Sequence, residues 1–309
     1  MIDNILATLT YYDIFDFPLK ADEVLAYLVK LEKPLDQKEI SLENIKKALD
    51  QLVLDSRVGR EESFYFIDDK NYLVPLRIKR QKISAKKWVK AKKAIRWLKF
   101  TPYVEAVFAS GSLALSNCDE LSDLDVLIVV KHGRIWLARL LITGILSLIH
   151  SRRRHFDKVA PDKICPNHYI TDKSLKIPFE SIYNAQNYLN LKPILVRNPK
   201  TVEDFFNQNS WIGNYIYYSK PKYSDSVIHP NAIGNFSSLL LNNKFGDWLE
   251  SLARRYQISR ITCNPLTKSV VGHVVFDDNQ LAFHPDSPEA TIMEKYISKL
   301  NLLRNLTLF

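Results

Sequence analysis

The chain has 309 residues, 46% of them hydrophobic and 25% charged, a balance that supports two or three folded domains and excludes a disordered, collagenous or disulfide-scaffold protein. Its three cysteines, Cys118, Cys165 and Cys263, are too widely spaced for a zinc cluster, and so low and odd a count fits a reducing, cytoplasmic setting. The net charge of +9 is uneven: residues 1–75 carry nine Lys/Arg against fifteen Asp/Glu, residues 76–160 eighteen against six, and residues 161–309 sixteen against thirteen.

Residues 1–75 read as three helices and a hairpin. Ile2, Ile5, Leu6 and Leu9 recur at helical spacing, Pro18 interrupts, and Ala21–Leu31 resumes the pattern. Ser41 caps a third helix striped by Leu42, Ile45, Leu49 and Leu52. Arg57–Gly59 and Ser63–Ile67 then flank the charged tip Arg60-Glu61-Glu62. This is the pattern of a winged-helix-like domain. Duplex DNA is disfavoured as its partner, because the third helix and the tip are rich in Asp and Glu while DNA binding needs phosphate-neutralising Lys and Arg. The start Met1-Ile2-Asp3-Asn4 lacks the basic n-region of a signal peptide.

Leu76–Lys99 is a basic helix with eleven Lys/Arg and no acidic residue. Its charge reads either as a solvated face or as a phosphate-tracking surface beside an active site. An α/β pattern follows over residues 76–175, with its core at 102–171. The strands are Tyr103–Ala109, Asp123–Val130 and Ile164–Thr171, which predict a small mixed sheet. Between the last two lie a helix at Ile135–Ile149 and a basic loop at 151–163. The fifteen-residue apolar run Ile135–Ile149 contains Arg139 and falls short of the ~20 residues of a membrane span, so it predicts a buried helix and no membrane partner. The flanking Arg152-Arg153-Arg154 is the one feature that suits a membrane surface. Residues 176–309 read as mainly helical, with candidates at Phe179–Leu189, Val202–Phe206, Asn235–Tyr256 and Pro288–Leu303, and a hairpin of Gly272–Phe276 with Gln280–His284. The fold class expected is α+β: a winged-helix-like domain, a central α/β domain and a mainly helical C-terminal region.

The chemistry lies in Ala109-Ser110-Gly111-Ser112-Leu113 and Leu121-Ser122-Asp123-Leu124-Asp125-Val126-Leu127-Ile128. Strand residues two apart share a face, so Asp123 and Asp125 present two carboxylates together at the head of an apolar strand. Such a pair needs a cation, and magnesium takes oxygen ligands while keeping waters for a phosphate. Gly111 and Ser112 form a turn whose backbone N–H groups suit phosphate oxygens. Trp211 and Tyr215-Ile216-Tyr217-Tyr218 read as packing residues more than as base-stacking ones.

Gly-Ser, a ten-residue spacer and Asp-x-Asp in a hydrophobic strand resemble the nucleotidyltransferase fold of the DNA polymerase beta superfamily, over about a quarter of the chain. The whole chain is also similar to uncharacterised bacterial proteins with a nucleotidyltransferase domain, including the stretches Ile164-Cys165-Pro166-Asn167 and Phe283-His284-Pro285. The resemblance implies a transferase that moves a nucleoside monophosphate from a nucleoside triphosphate, ATP by preference, to a hydroxyl acceptor and releases pyrophosphate. It implies two magnesium ions on Asp123 and Asp125, with Gly111 and Ser112 on the β/γ-phosphates; Ser122 reads as a strand cap more than as a nucleotide-site residue that hydrogen-bonds an Asp carboxylate. RNA, a protein side chain or a small molecule would serve as acceptor.

One part departs from that pattern. The family's third carboxylate stands on the third strand, where this chain offers Asn167 or His168, with Asp162 and Asp172 flanking. An alternative therefore stays open: a catalytically weak nucleotide-binding regulator, or a toxin–antitoxin-like protein, acting through its winged helix.

Overall fold

The computed structural model describes residues 1–32, 34–68, 70–154, 157, 159–217, 227–229, 242–268 and 272–305. Helix α1 (Ile2–Asp13) is buried on nearly all sides. Beyond Pro18, a two-residue strand β1 (Leu19–Lys20) leads into α2 (Ala21–Ala26). The expected helix Ala21–Leu31 thus ends early: Leu28–Lys30 instead pairs with the backbone of Tyr215 and Tyr217. Helix α3 (Leu42–Leu54) follows, and the Ser41 hydroxyl caps it by accepting from the Asn44 N–H at 3.2 Å. Strands β2 (Gly59–Glu61) and β3 (Phe64–Phe66) form a hairpin, but its first strand begins two residues later than expected, so Arg60 and Glu61 pair with β3 and do not lie in the tip; β1 pairs with the other edge of β3.

Helix α4 (Leu73–Ile95) divides its charge between two jobs. Arg77 is buried over the Phe17 ring and donates to Glu23 at 2.6 Å, while Ser84 and Lys87 are buried against the loop that follows Ala114. Lys79, Lys82, Lys86 and Lys93 face solvent along a second stripe. The buried cations are thus taken up by oxygens of the protein itself, and the second stripe is a solvated face.

The remaining elements are β4 (Val104–Ala109), α5 (Gly111–Ala114), β5 (Leu124–Val130), α6 (Ile135–Leu148), β6 (Ile164–Thr171), α7 (Ile182–Leu189), β7 (Lys192–Val196), α8 (Pro199–Gln208), α9 (Lys244–Thr262), β8 (His273–Phe276), β9 (Gln280–His284) and α10 (Glu289–Asn305). Residues 235–241 of the predicted helix Asn235–Tyr256 lie outside the described residues, as does Tyr218. The protein is mixed α/β, with a mixed six-stranded sheet ordered β7-β4-β5-β6-β9-β8. Within this sheet, among the described residues, β5 and β6 pair in parallel and the other named strands pair antiparallel.

Strand β5 is apolar on both faces because helices cover both. Leu124, Val126, Ile128 and Val130 pack with α4, α6 and α9. Leu127 and Val129 pack with α7 and α8 on the opposite side. This alternation sends Asp125 to the α7/α8 face. The sheet exceeds the expected three strands: the hairpin expected at Gly272–Phe276 and Gln280–His284 is present as β8 and β9 but joins this sheet through β6, and β7 comes from a region read as mainly helical. Strand β7 carries Pro193 and is tolerated because it lies at a sheet edge.

The single charge of the apolar run, Arg139, is used inside the fold: it donates to Gln257 on α9 at 2.6 Å and lies over the Phe283 ring. Among the described residues no helix is long and apolar enough to cross a membrane. Finally, α10 packs back on α1, where Tyr296 and Leu300 join the core formed by Leu6, Tyr11 and Leu49. Tyr296 meets Tyr11 edge-on at 5.7 Å, and Lys299 pairs with Asp13 at 2.6 Å.

Candidate metal and phosphate site

The site forms where β4 ends beside the start of β5. Ser110 N–H donates to the Asp125 carbonyl at 3.0 Å, extending the strand pair by one bond. Gly111 then turns the chain with φ +57°, a conformation open to glycine at little cost. A Cβ at this position would stand 3.3 Å from Asp125 Oδ2, so the glycine also lets the backbone approach the carboxylate. The first N–H groups of α5 have no intrahelical carbonyl to bond, which leaves Gly111 and Ser112 as donors beside that carboxylate. Gly111→Ala is expected to cost about 1–2 kcal/mol through its left-handed backbone and to weaken metal binding by crowding Asp125. Urea unfolding and calorimetric metal titration check this, and a variant matching the parent in both would remove the glycine from the site.

The loop joining the two motif halves is held by α4. Arg80 donates to Asn117 Oδ1 at 3.3 Å, Ser84 Oγ accepts from Cys118 N–H at 3.0 Å, and the buried Lys87 ammonium reaches the carbonyls of Glu120 (3.2 Å) and Ser122 (2.7 Å) and the Asp162 carboxylate (2.9 Å). Ser122 does not sit with Asp123 and Asp125 as a nucleotide contact. Its hydroxyl donates to Asp119 Oδ1 at 2.7 Å and closes the loop. Cys118 is buried behind the turn, its sulfur 3.5 Å from the Ser112 hydroxyl, and burial pushes its thiol up.

Asp123 and Asp125 lie together, as their spacing requires. The third strand brings a partner that the sequence reading missed. In the β5/β6 register Cys165 stands opposite Asp125, and His168 stands opposite Leu127. The extra residue forms a bulge at Pro166–Asn167, where proline's missing N–H makes regular pairing impossible. Asn167 there donates Nδ2–H to Asp125 Oδ1 at 3.1 Å. One carboxylate oxygen each of Asp123 and Asp125 and the Cys165 sulfur all lie within 4.8 Å of one another.

Of the two candidates for the third-strand position, His168 does not reach the carboxylates: it stands opposite Leu127, beyond Asp125, and other partners hold it. His168 is buried, with Nε2 3.0 Å from Gln280 and Nδ1 3.5 Å from the Tyr188 hydroxyl. Burial, then the charge of His284, brings its pKa down to about 3, which leaves it neutral and a poor base near pH 7. The flanking acids do not enter the site either: Asp162 pairs with Lys87 and Lys90, and Asp172 accepts from His132 N–H at 2.8 Å. Trp211 is buried and donates to Asn209, so it serves packing.

Arg153 is the second residue missed. Ser151–Arg153 runs beside the start of β6, bonding Ile164 through Ser151 O (2.7 Å) and Arg153 N (2.9 Å), and this delivers the Arg153 guanidinium to the Asp123 carboxylate. The only signal for it was the Arg152-Arg153-Arg154 run. Asp125 remains the strained member. Burial first, and then the Asp123 charge, push its pKa up to about 7 against the opposing pull of Arg153 and the hydrogen bonds from Cys165 and Asn167.

The two carboxylates and the Cys165 sulfur lie close enough to share one divalent cation, and the sulfur is a donor that oxygen-seeking magnesium does not favour. Comparison with family profiles, with curated proteins and with solved structures gave no match to this chain.

Proposed function

We propose that the chain is a metal-dependent nucleotidyltransferase of the polymerase beta type, which moves a nucleoside monophosphate from a nucleoside triphosphate, ATP by preference, to a hydroxyl acceptor. One observation carries this reading: the Gly111 turn lies against Asp125, so backbone donors for phosphate and a carboxylate pair for a cation converge at one point. When bound, the cation supplies charge neutralisation to the triphosphate. Gly111 and Ser112 hold the β/γ-phosphates through backbone N–H groups and the Ser112 hydroxyl. The acceptor oxygen forms its bond to the α-phosphorus as the bond to the bridging oxygen breaks, and pyrophosphate leaves. The acceptor's proton goes to a site carboxylate or to water, since neither Asn167 nor His168 takes it. Arg153 pairs with one oxygen of Asp123; a bound cation would compete for that carboxylate, and a displaced guanidinium would be placed to hold a phosphate. The exposed lysines of α4 favour a polyanionic acceptor such as RNA.

A second reading has its own observation. The third strand presents Cys165 and Asn167 where a carboxylate is expected, which favours a catalytically weak nucleotide-binding regulator acting through the winged-helix-like first 75 residues. Incubation of the full chain with a divalent cation, α-labelled nucleoside triphosphates and total RNA or protein separates the two. Label transfer lost on Asp123→Ala supports the transferase. Nucleotide binding without transfer to any acceptor sinks it and leaves the regulator.

A further inference from the structure

We propose that Cys165 is a metal ligand, and that the cation held by Asp123, Asp125 and Cys165 is a thiophilic divalent ion of the zinc class in place of magnesium. The inference rests on the reading of Asp123 and Asp125 as the metal end of the site and names the metal it takes. Its three donor atoms come from positions the sheet fixes. Cys165 is opposite Asp125 across a parallel pair, and Asp123 precedes β5 by one residue. The donor atoms lie within 4.8 Å of one another, and ligands around a tetrahedral zinc stand about 3.3–3.8 Å apart. Side-chain rotation of under about 1.5 Å therefore closes the set without moving the strands.

The chemistry selects the ion. Magnesium demands oxygen donors, whereas zinc accepts a thiolate with carboxylates. Soft sulfur in a set of otherwise hard donors shifts preference toward zinc and its neighbours. Three protein donors and one open position are also the pattern of a zinc ion that still binds substrate. Asn167 supplies what such a site requires behind its ligands: its amide holds Asp125 Oδ1 at 3.1 Å and fixes how that carboxylate presents its other oxygen. Arg153 pairs with Asp123, a counter-charge that a cation would replace. The other thiols do not compete, since Cys118 is buried behind the Gly111 turn and Cys263 is exposed at the end of α9.

Cobalt(II) tests this on the full, metal-free chain, because a thiolate ligand gives a cobalt charge-transfer band in the near ultraviolet. One cobalt per chain is expected, with that band present. Zinc should bleach it and excess magnesium should not. Cys165→Ser and Cys165→Asp should lose the band, while Cys118→Ser and Cys263→Ser keep it. Zinc affinity of Cys165→Ser should fall by more than the ~10–100-fold that losing a supporting residue costs. Cys165→Asp, now all oxygen, should gain affinity for magnesium. Cobalt binding without the band, or a band that survives in Cys165→Ser, overturns the proposal. If magnesium alone supports full transfer and Cys165→Ser keeps it, the zinc-class site falls while the transferase reading stands. If the band appears as expected and no nucleotide is ever transferred, the transferase reading falls and the metal site stands.

Discussion

Asp125→Asn is expected to make the metal-free protein more stable at pH 8 by about 2 kcal/mol and to lower nucleotide transfer by about 10³-fold. Folding lifts the Asp125 pKa to about 7, so the native chain holds this proton more tightly than the unfolded chain does. Below about pH 4 the group is protonated in both states and exerts no penalty. From about pH 4 to about pH 7 the native state carries the extra proton, and stability falls as pH rises. Above about pH 7 both states are ionised and the penalty stays at full size. Each unit of displacement is worth about 1.4 kcal/mol, and losing the attraction to Arg153 offsets part of the gain. Asparagine keeps an oxygen for Asn167 and carries no charge at any pH, so the pH-dependent loss should vanish with it. Urea unfolding with chelator at pH 4.5 and pH 8 measures the effect. A variant less stable than its parent at pH 8 would show that the buried anion stabilises the fold. The loss of transfer corresponds to the several kcal/mol that a bound cation supplies to a phosphoryl centre. A residue proposed to hold the cation is thus one the fold would be more stable without.

Lys87→Met should act in the opposite sense, lowering stability and activity together. The Lys87 side chain is 4% exposed, and its ammonium donates to two loop carbonyls and one carboxylate. Methionine fills similar space with no donor. The Ser122 carbonyl keeps the Asp162 N–H at 3.2 Å, and Asp162 keeps Lys90, so the loss is partial, about 2–3 kcal/mol. The freed loop is the one that sets Asp123, and small misplacements of reacting groups cost on the order of 10²-fold in rate. Urea unfolding and transfer kinetics check this, with Lys87→Arg as the comparison that keeps the charge. Unchanged stability in Lys87→Met would mean that solvent replaces all three bonds.

What the sequence made legible follows local rules. Alternation in Leu124–Val130 set Asp125 and Leu127 on one face, Gly111 marked a turn that needs positive φ, and Ile164–Thr171 read directly as a strand. What it concealed depends on pairing between distant segments. Cys165 becomes a site residue only once β6 is registered against β5, and Pro166 shifts that register by one residue. His168 stands opposite Leu127, where Gln280 and Tyr188 hold it away from the carboxylates, while Asn167 in the bulge reaches Asp125. Arg153 arrives through two backbone bonds to Ile164 that no periodicity announces. Strand β7 is short, lysine-headed and contains proline, and its place at the edge of the sheet is what allows those residues.

The packing of α10 on α1 also bears on how the fold forms. Tyr11 meets Tyr296 and Asp13 pairs with Lys299, the latter two 286 residues apart. Contacts so remote in sequence form slowly, because the entropy of the intervening chain is lost before they reward it. Until this seam closes, the apolar side chains of α10 that face α1 are uncovered, the kind of surface through which partly folded chains associate.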